Sequence, residues 1–213
     1  MLVLFDLDDT LINGDCAKLW INFCVEKKIL NEAALEKNEA FKEQYKNNSL
    51  DMSEFMHFFL ESVKDKSLKE VNFLVAEFIK KDIKPFKEAL ELVKSYKDER
   101  KIIISASADF LVKKIAKIFD IDEVIAINCE LIADKFSGKT KGVYSFKEGK
   151  VLRLKQYLGK DYESLITNSI FYSDSINDLP LLESVKKPVV CNGDEKLLQI
   201  ARQRGYEILN FKA

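Results

Sequence analysis

Histidine is almost absent. His57 is the only one in 213 residues, and it stands among Phe55, Phe58 and Phe59, where it reads as a packed residue of a helical bundle. That excludes multi-histidine metal centres and Ser-His-Asp catalysis. Any chemistry here has to be done by carboxylates, lysines and hydroxyls. Cysteine is scarce too, and Cys16, Cys24, Cys129 and Cys191 show no CxxC spacing. Zinc sites and dithiol redox chemistry therefore lack support, and buried reduced thiols are the simpler reading. Charge bias is missing as well: 34 basic residues face 35 acidic ones, for a net charge of −1. No electrostatic footprint for nucleic acid or for an anionic membrane follows from that balance. The apolar run Met1–Phe5 is broken at once by Asp6, Asp8 and Asp9, too early for a signal peptide or a membrane span. The expectation is a cytoplasmic protein.

Backbone punctuation is sparse, with seven glycines and three prolines. Between Gly14 and Pro85 there is neither, and a gap of that length favours long helices. Within it, Leu19-Trp20 with Phe23-Cys24, and Phe55 with Phe58-Phe59, recur at helical spacing. After Pro85 the pattern turns to short apolar runs alternating with amphipathic stretches. Strands are predicted at Lys101–Ser105, Glu123–Ile127, Ser169–Ser173, Pro188–Cys191 and Glu207–Leu209, with helices at Asp109–Phe119, Glu148–Leu158, Asn177–Ser184 and Asp194–Gln203. Runs of this kind, unbroken by polar residues, argue for a parallel sheet covered on both faces. The stretch Leu131–Ser145 suits a β-hairpin interrupting the rhythm. The predicted architecture is α/β: a doubly wound, Rossmann-like parallel core from residues 1–13 and 85–213, with residues 14–84 inserted as an α-helical bundle cap. Doubly wound sheets bind ligands beyond the carboxyl ends of their strands. An insertion made straight after the first strand is thus expected to act as a lid.

Asp6, Asp8 and Asp9 follow directly on the apolar strand Leu2–Phe5. Like charges this close raise one another's pKa unless a cation intervenes, and a hard cation such as Mg2+ takes oxygen ligands. In extended backbone Asp6 and Asp8 point the same way, so both can face one ligand. An acidic loop or a helix cap is the plainer alternative. A second acidic pair follows another strand, in Phe171-Tyr-Ser-Asp174-Ser-Ile-Asn177-Asp178, where Asp174 alone also suits a helix cap. Ser105 ends the run Ile102–Ile104, where a hydroxyl and nearby N–H groups can meet an anion at a helix start. Lys150 opens a helix in Glu148-Gly149-Lys150. Each feature is ordinary by itself. What points to one site is that all of them fall at strand ends or helix starts of one sheet.

In that arrangement the sequence resembles the haloacid dehalogenase superfamily of aspartate-nucleophile phosphatases. Its first motif, a strand followed by DxDx[T/V]L, matches Asp6-Leu-Asp8-Asp9-Thr10-Leu11; its fourth, DSxND, matches Asp174-Ser-Ile-Asn177-Asp178. The second motif is a strand ending in Ser or Thr, here Ser105. The third is a lysine, best placed at Lys150, with Lys147 and Lys141 close by. The helical insertion and the residues around Ser105 and Asp174 are similar to the phosphoserine-phosphatase-like branch, subfamily IB. The resemblance implies a magnesium-dependent phosphomonoester hydrolase acting on a small phosphorylated metabolite. Asp6 is then the nucleophile and forms an aspartyl-phosphate, and Asp8 protonates the leaving oxygen and later takes a proton from water. Mg2+ is implied at the Asp6 carboxylate, the Asp8 carbonyl and Asp174, with Asp178 orienting Lys150 or waters. Ser105, the Ala106 N–H, Lys150 and Asn177 are implied to hold the phosphoryl oxygens.

Substrate choice is less uniform. Asp15 sits where the similar phosphoserine phosphatases carry a glutamate for the substrate ammonium, and it equally suits the N-cap of the insertion's first helix. Those enzymes also clamp the substrate carboxylate with a cap arginine. The four arginines here are Arg100, Arg153, Arg202 and Arg204, none of them in the insertion, and lysine does not reproduce a bidentate clamp. The expected substrate is therefore a small phosphorylated alcohol or amine rather than phosphoserine. Two alternatives remain open at this point: a phosphotransferase or mutase using the same site, and a non-enzymatic phosphoacceptor module of the response-regulator receiver type.

Overall fold

A computed structural model describes residues 1–212. The chain opens with β1 (Leu2–Phe5) and continues through the helices α1 (Cys16–Glu26), α2 (Ala33–Lys46), α3 (Met52–Leu60) and α4 (Leu68–Asp82). Then come α5 (Lys87–Ser95), β2 (Arg100–Ala108), α6 (Asp109–Ile115), β3 (Glu123–Ile127) and a hairpin of β4 (Cys129–Ile132) and β5 (Lys135–Thr140). The remainder is α7 (Glu148–Leu158), α8 (Tyr162–Ile166), β6 (Ser169–Ser173), α9 (Leu179–Leu182), β7 (Lys187–Cys191), α10 (Glu195–Arg204) and β8 (Glu207–Leu209). Two compact units divide these elements. One takes Met1–Gly14, Lys84–Ile127 and the chain from Val143 onward; the other takes Asp15–Ile83 and Asn128–Gly142.

The first unit is a six-stranded sheet in the order β3-β2-β1-β6-β7-β8, with every neighbouring pair parallel and helices on both sides. Every residue of β1 and β6 is buried, which is why β1 and the middle of β6, Ile170–Tyr172, carry no polar alternation. Leu2, Leu4, Ile102, Ile104, Phe171 and Val190 form the middle of the core, packed against Leu154, Leu181 and Leu197 from the helices. This is the predicted doubly wound fold. Because β1 lies between β2 and β6 while the chain winds outward on either side, the crevice falls at the carboxyl ends of β1 and β6. The strand β2 runs to Ala108, beyond the predicted Ser105, and its register against β3 shifts between Ile104 and Ala108.

The second unit is built on aromatic packing. Trp20 stacks on Phe23 with ring centroids 5.5 Å apart and meets Phe78 edge-on at 5.3 Å. Its indole N–H donates to Ser62 Oγ at 2.9 Å, and that hydroxyl in turn donates to the Phe59 carbonyl at 2.7 Å. Asp51 caps α3 and a Ser67/Glu70 capping box starts α4, as expected for side chains that satisfy orphan N–H groups. His57 departs from the sequence reading. The helix α3 buries Met52, Met56, Phe58, Phe59 and Leu60 and leaves His57 exposed, because 100° per residue carries position 57 off the buried face.

The hairpin also departs from the predicted boundaries. Predicted as part of the core, it groups with the helices, through Asp65 N–H to the Phe136 carbonyl (2.8 Å), Phe136 N–H to Lys66 (3.0 Å) and Leu68 N–H to Asp134 (2.9 Å). Phe136 is buried there. The two-residue turn, Ala133 and Asp134, has φ of 47° and 64°, the left-handed pair that matches strand twist in tight hairpins. Among the described residues no helix is long and apolar enough to cross a membrane.

Candidate active site

The backbone of β1 carries its ladder one residue further, Asp6 N–H donating to the Tyr172 carbonyl at 2.9 Å. The chain then leaves the sheet. Asp9 takes a left-handed φ of 51°, and Leu11 and Ile12 both donate back to the Leu7 carbonyl, at 2.9 and 3.1 Å. That tight turn holds Asp6 and Asp8 at the strand's carboxyl end. Asn192, from the end of β7, steadies it by donating to the Asp9 carbonyl at 2.9 Å.

Lys150 is the centre of the arrangement. Its Nζ donates to Asp6 Oδ1 and to Asp178 Oδ2, each at 2.6 Å, and the side chain is 2% exposed. Ser173 Oγ donates to the same Asp178 oxygen at 2.7 Å. The turn that delivers the lysine is tightly specified. Lys147 has φ of 51°, and a Cβ at Gly149 would stand 2.0 Å from the Tyr144 carbonyl oxygen, so only glycine fits between Glu148 and Lys150. Of the other two lysines weighed, Lys147 lies over the Phe146 ring, 5.0 Å from its centroid, and Lys141 belongs to the other unit.

The second acidic segment closes on the first. Thr10 Oγ1 donates to Asp174 Oδ1 at 3.2 Å. Asp194 holds the loop beyond β6, its N–H donating to the Asp174 carbonyl at 2.7 Å and its carboxylate accepting from Ile176 N–H at 2.6 Å. Asn177 is buried and its Oδ1 has no hydrogen-bond partner, a costly state that a bound oxyanion's proton, a water or a cation relieves. On the β2 side, Ser107 N–H donates to Ser105 Oγ at 3.1 Å, Ser107 Oγ to Asp8 Oδ2 at 2.8 Å, and Ser145 Oγ to the Ser105 carbonyl at 2.6 Å. Ala106 lies between the two serines. Asp15, in the other unit, caps α1, accepting from Ala17 and Lys18 N–H at 2.9 and 3.0 Å.

The electrostatics are unbalanced. Burial pushes Asp6 up to about 8, with Lys150 opposing and Asp178 and Asp8 adding to the rise. Burial, then Asp6 and Asp178, hold Asp174 well above the ordinary carboxylate range. Burial also works against the Lys150 ammonium, but Asp178 and Asp6 outweigh it and keep the lysine charged above its usual range. Asp6, Asp174 and Asp178 thus set three carboxylates against one ammonium. With these three ionised, at least two negative charges are left uncompensated, a deficit that favours a bound cation. No group of three His, Cys, Asp or Glu side chains with metal-ligand geometry occurs among the described residues. The donors on offer are two carboxylates that press on one another, Asp6 and Asp174. That set suits Mg2+, which uses one or two carboxylates and keeps several waters, and not a fully caged metal.

Sequence reasoning gave no role in the site to Ser107, Thr10, Ser173, Ser145 or Asp194, although Thr10 lies within the first motif. Ser107 had a signal, since two residues beyond Ser105 on a strand shares its face. Ser145, 40 positions away from its partner, had none.

Comparison with known proteins places these observations. The family model for haloacid dehalogenase-like hydrolases matches residues 3–183. A histidinol-phosphatase of Neisseria meningitidis serogroup C (strain 8013) is 35% identical over 219 residues, covering 99% of each chain. A crystal structure of a protein with unknown function from Bordetella pertussis Tohama I matches with a TM-score of 0.87 at 29% identity, over 98% of this chain and 97% of that one. A phospho-aspartyl intermediate analogue of phosphoserine phosphatase shares the fold, with a TM-score of 0.71 at 18% identity over 99% and 93% of the two chains.

Proposed function

Since the chain belongs to the haloacid dehalogenase-like hydrolase family and is a phosphatase of its phosphoserine-phosphatase-like branch, we propose that it hydrolyses a small phosphomonoester through an aspartyl-phosphate on Asp6. The observation that carries this reading is the Lys150 ammonium held 2.6 Å from both Asp6 and Asp178 at the end of β1. A buried cation there opposes the rise that burial forces on the Asp6 carboxyl and offers a positive charge to phosphoryl oxygens.

Asp6 attacks phosphorus and the ester P–O bond breaks, while Asp8 gives its proton to the departing oxygen. Asp8 then takes a proton from water, whose oxygen attacks the same phosphorus. The bond to Asp6 breaks and inorganic phosphate leaves. Ser105, the Ala106 N–H, Lys150 and Asn177 hold the phosphoryl oxygens through this exchange, and Asp178 with Ser173 keeps Lys150 in place. Asp6, Asp174 and the Asp8 carbonyl would hold Mg2+, which supplies charge neutralisation that lets an anionic nucleophile approach an anionic ester. A cytoplasmic setting belongs to the same proposal, as all four cysteines are buried thiols of the kind kept reduced there.

For the substrate we favour a phosphorylated amino alcohol without a carboxylate, with L-histidinol phosphate the first candidate. Two facts support it: the similarity to the Neisseria histidinol-phosphatase, and the absence of arginine from residues 15–83 and 128–142. Phosphoserine carries a carboxylate that calls for a bidentate partner; histidinol phosphate does not. The test is a panel of phosphorylated metabolites assayed with Mg2+. L-Histidinol phosphate should give the highest kcat/KM, and Asp6→Asn should abolish turnover of every ester. A preference for L-phosphoserine would overturn the substrate, and full activity in Asp6→Asn would overturn the mechanism.

A further inference from the structure

Ser107 has no part in the chemistry just described, yet its hydroxyl donates to Asp8 Oδ2 at 2.8 Å across 99 positions of sequence. Both ends of the residue are committed, since its N–H donates to Ser105 Oγ at 3.1 Å, and it is 6% exposed. The contact arises from the unequal lengths of two strands. β1 stops at Phe5, paired with Ile103, whereas β2 continues to Ala108. Its overhanging end therefore comes level with the segment beyond β1, where the chain turns at Asp9. Within that overhang Ser105 and Ser107 are tied together, the Ser107 N–H donating to the Ser105 hydroxyl. One serine faces the place proposed for the phosphoryl group, and the other faces the proposed proton donor.

An acid delivers its proton efficiently only when its carboxyl plane is held toward the leaving oxygen. The terminal torsion of an aspartate is broad and soft, so Asp8 needs an outside partner to fix it. We infer that Ser107 is a positioning residue that orients the Asp8 carboxyl for proton delivery to the departing alkoxide. In that step the ester P–O bond breaks, the bond from Asp6 to phosphorus forms, and the Asp8 proton moves to the leaving oxygen. The hydroxyl of Ser107 neither gains nor loses a proton. The inference rests on the reading of Asp8 as the general acid.

The leaving group supplies the test. A p-nitrophenolate departs without a proton, whereas an alkoxide needs one, and kcat/KM reports only the steps through formation of the aspartyl-phosphate. Measured on the full chain with Mg2+, Ser107→Ala should lower kcat/KM for an alkyl phosphate by about 10- to 100-fold and for p-nitrophenyl phosphate by less than about 3-fold. Ser107→Thr, which keeps the hydroxyl, should restore the alkyl phosphate to within about 3-fold of the unaltered protein. Asp8→Asn, run in parallel, should show the same contrast more strongly. Equal losses on both esters in Ser107→Ala, or no loss on either, would overturn the positioning role while Asp8→Asn still showed the contrast. Equal losses on both esters in Asp8→Asn would instead overturn the acid role of Asp8, and the inference with it.

Discussion

Replacing Gly149 by alanine puts a carbon 2.0 Å from the Tyr144 carbonyl oxygen, where anything under 3.0 Å forces movement. The obstacle is backbone, so no side chain can swing out of the way. The first turn of α7 must then back off by about 1 Å, since close-packed interiors absorb little of such an overlap. That turn carries Lys150, whose two 2.6 Å bonds to Asp6 and Asp178 weaken sharply when stretched by that amount. With Lys150 holding the phosphoryl group as proposed, a displacement of about 1 Å there costs on the order of 100-fold in rate. Overpacking of this kind costs about 1–3 kcal/mol, which lowers Tm by about 3–10 °C for a chain of this size. Steady-state kinetics and thermal unfolding read the two effects separately. A double-mutant cycle locates the cause: if the loss runs through the lysine, Gly149→Ala adds little to the loss already seen in Lys150→Ala. Unchanged kcat in Gly149→Ala, or fully multiplicative losses in the double variant, would refute the reasoning.

Two further predictions follow from the same structure. Asp6, raised from 3.8 to about 8, binds its proton more tightly folded than unfolded. Metal-free stability therefore falls as pH rises from about 4 towards 8, and Mg2+ at about 100 times its Kd should restore about 3 kcal/mol, or roughly 5–10 °C in Tm, at pH 8. At pH 5.5 protons hold the same carboxylates and the shift should nearly vanish; equal shifts at both pH values, or a shift that survives Asp174→Asn, would count against Mg2+ at these residues. In the helical unit, Phe78 is fully buried with Trp20 and Phe23 at 5.3 and 5.7 Å, so Phe78→Ala should cost about 3–5 kcal/mol in denaturant unfolding, and an unchanged midpoint would contradict that packing.

Much of this is legible in the sequence, and for local reasons. The strands of the core read as apolar runs because both of their faces are buried, and the Gly149 helix matched its predicted span, Glu148–Leu158. The gap without glycine or proline was helical, as its composition demanded. Misreadings came where tertiary contacts overrode local pattern. His57 looked packed because its neighbours are aromatic, but the phase of α3 turned it outward. The hairpin read as an interruption of the core because it lies between core elements in sequence, while its backbone hydrogen bonds go to residues 65–68.

Local sequence, then, determined the elements and marked the candidate chemistry, because strand burial, helix phase and the Asp6–Asp8 spacing depend on neighbours within a few positions. What it left undecided was partnership between distant side chains. Three lysines stood close together in sequence, and the fold carried Lys150 across 144 positions to Asp6. Ser107 gained its place beside Asp8 only because β2 outruns β1. Thr10 and Asp194 became holders of the Asp174 loop by the same closure. Such contacts are set by strand order and strand length in the assembled sheet, and no periodicity along the chain encodes them.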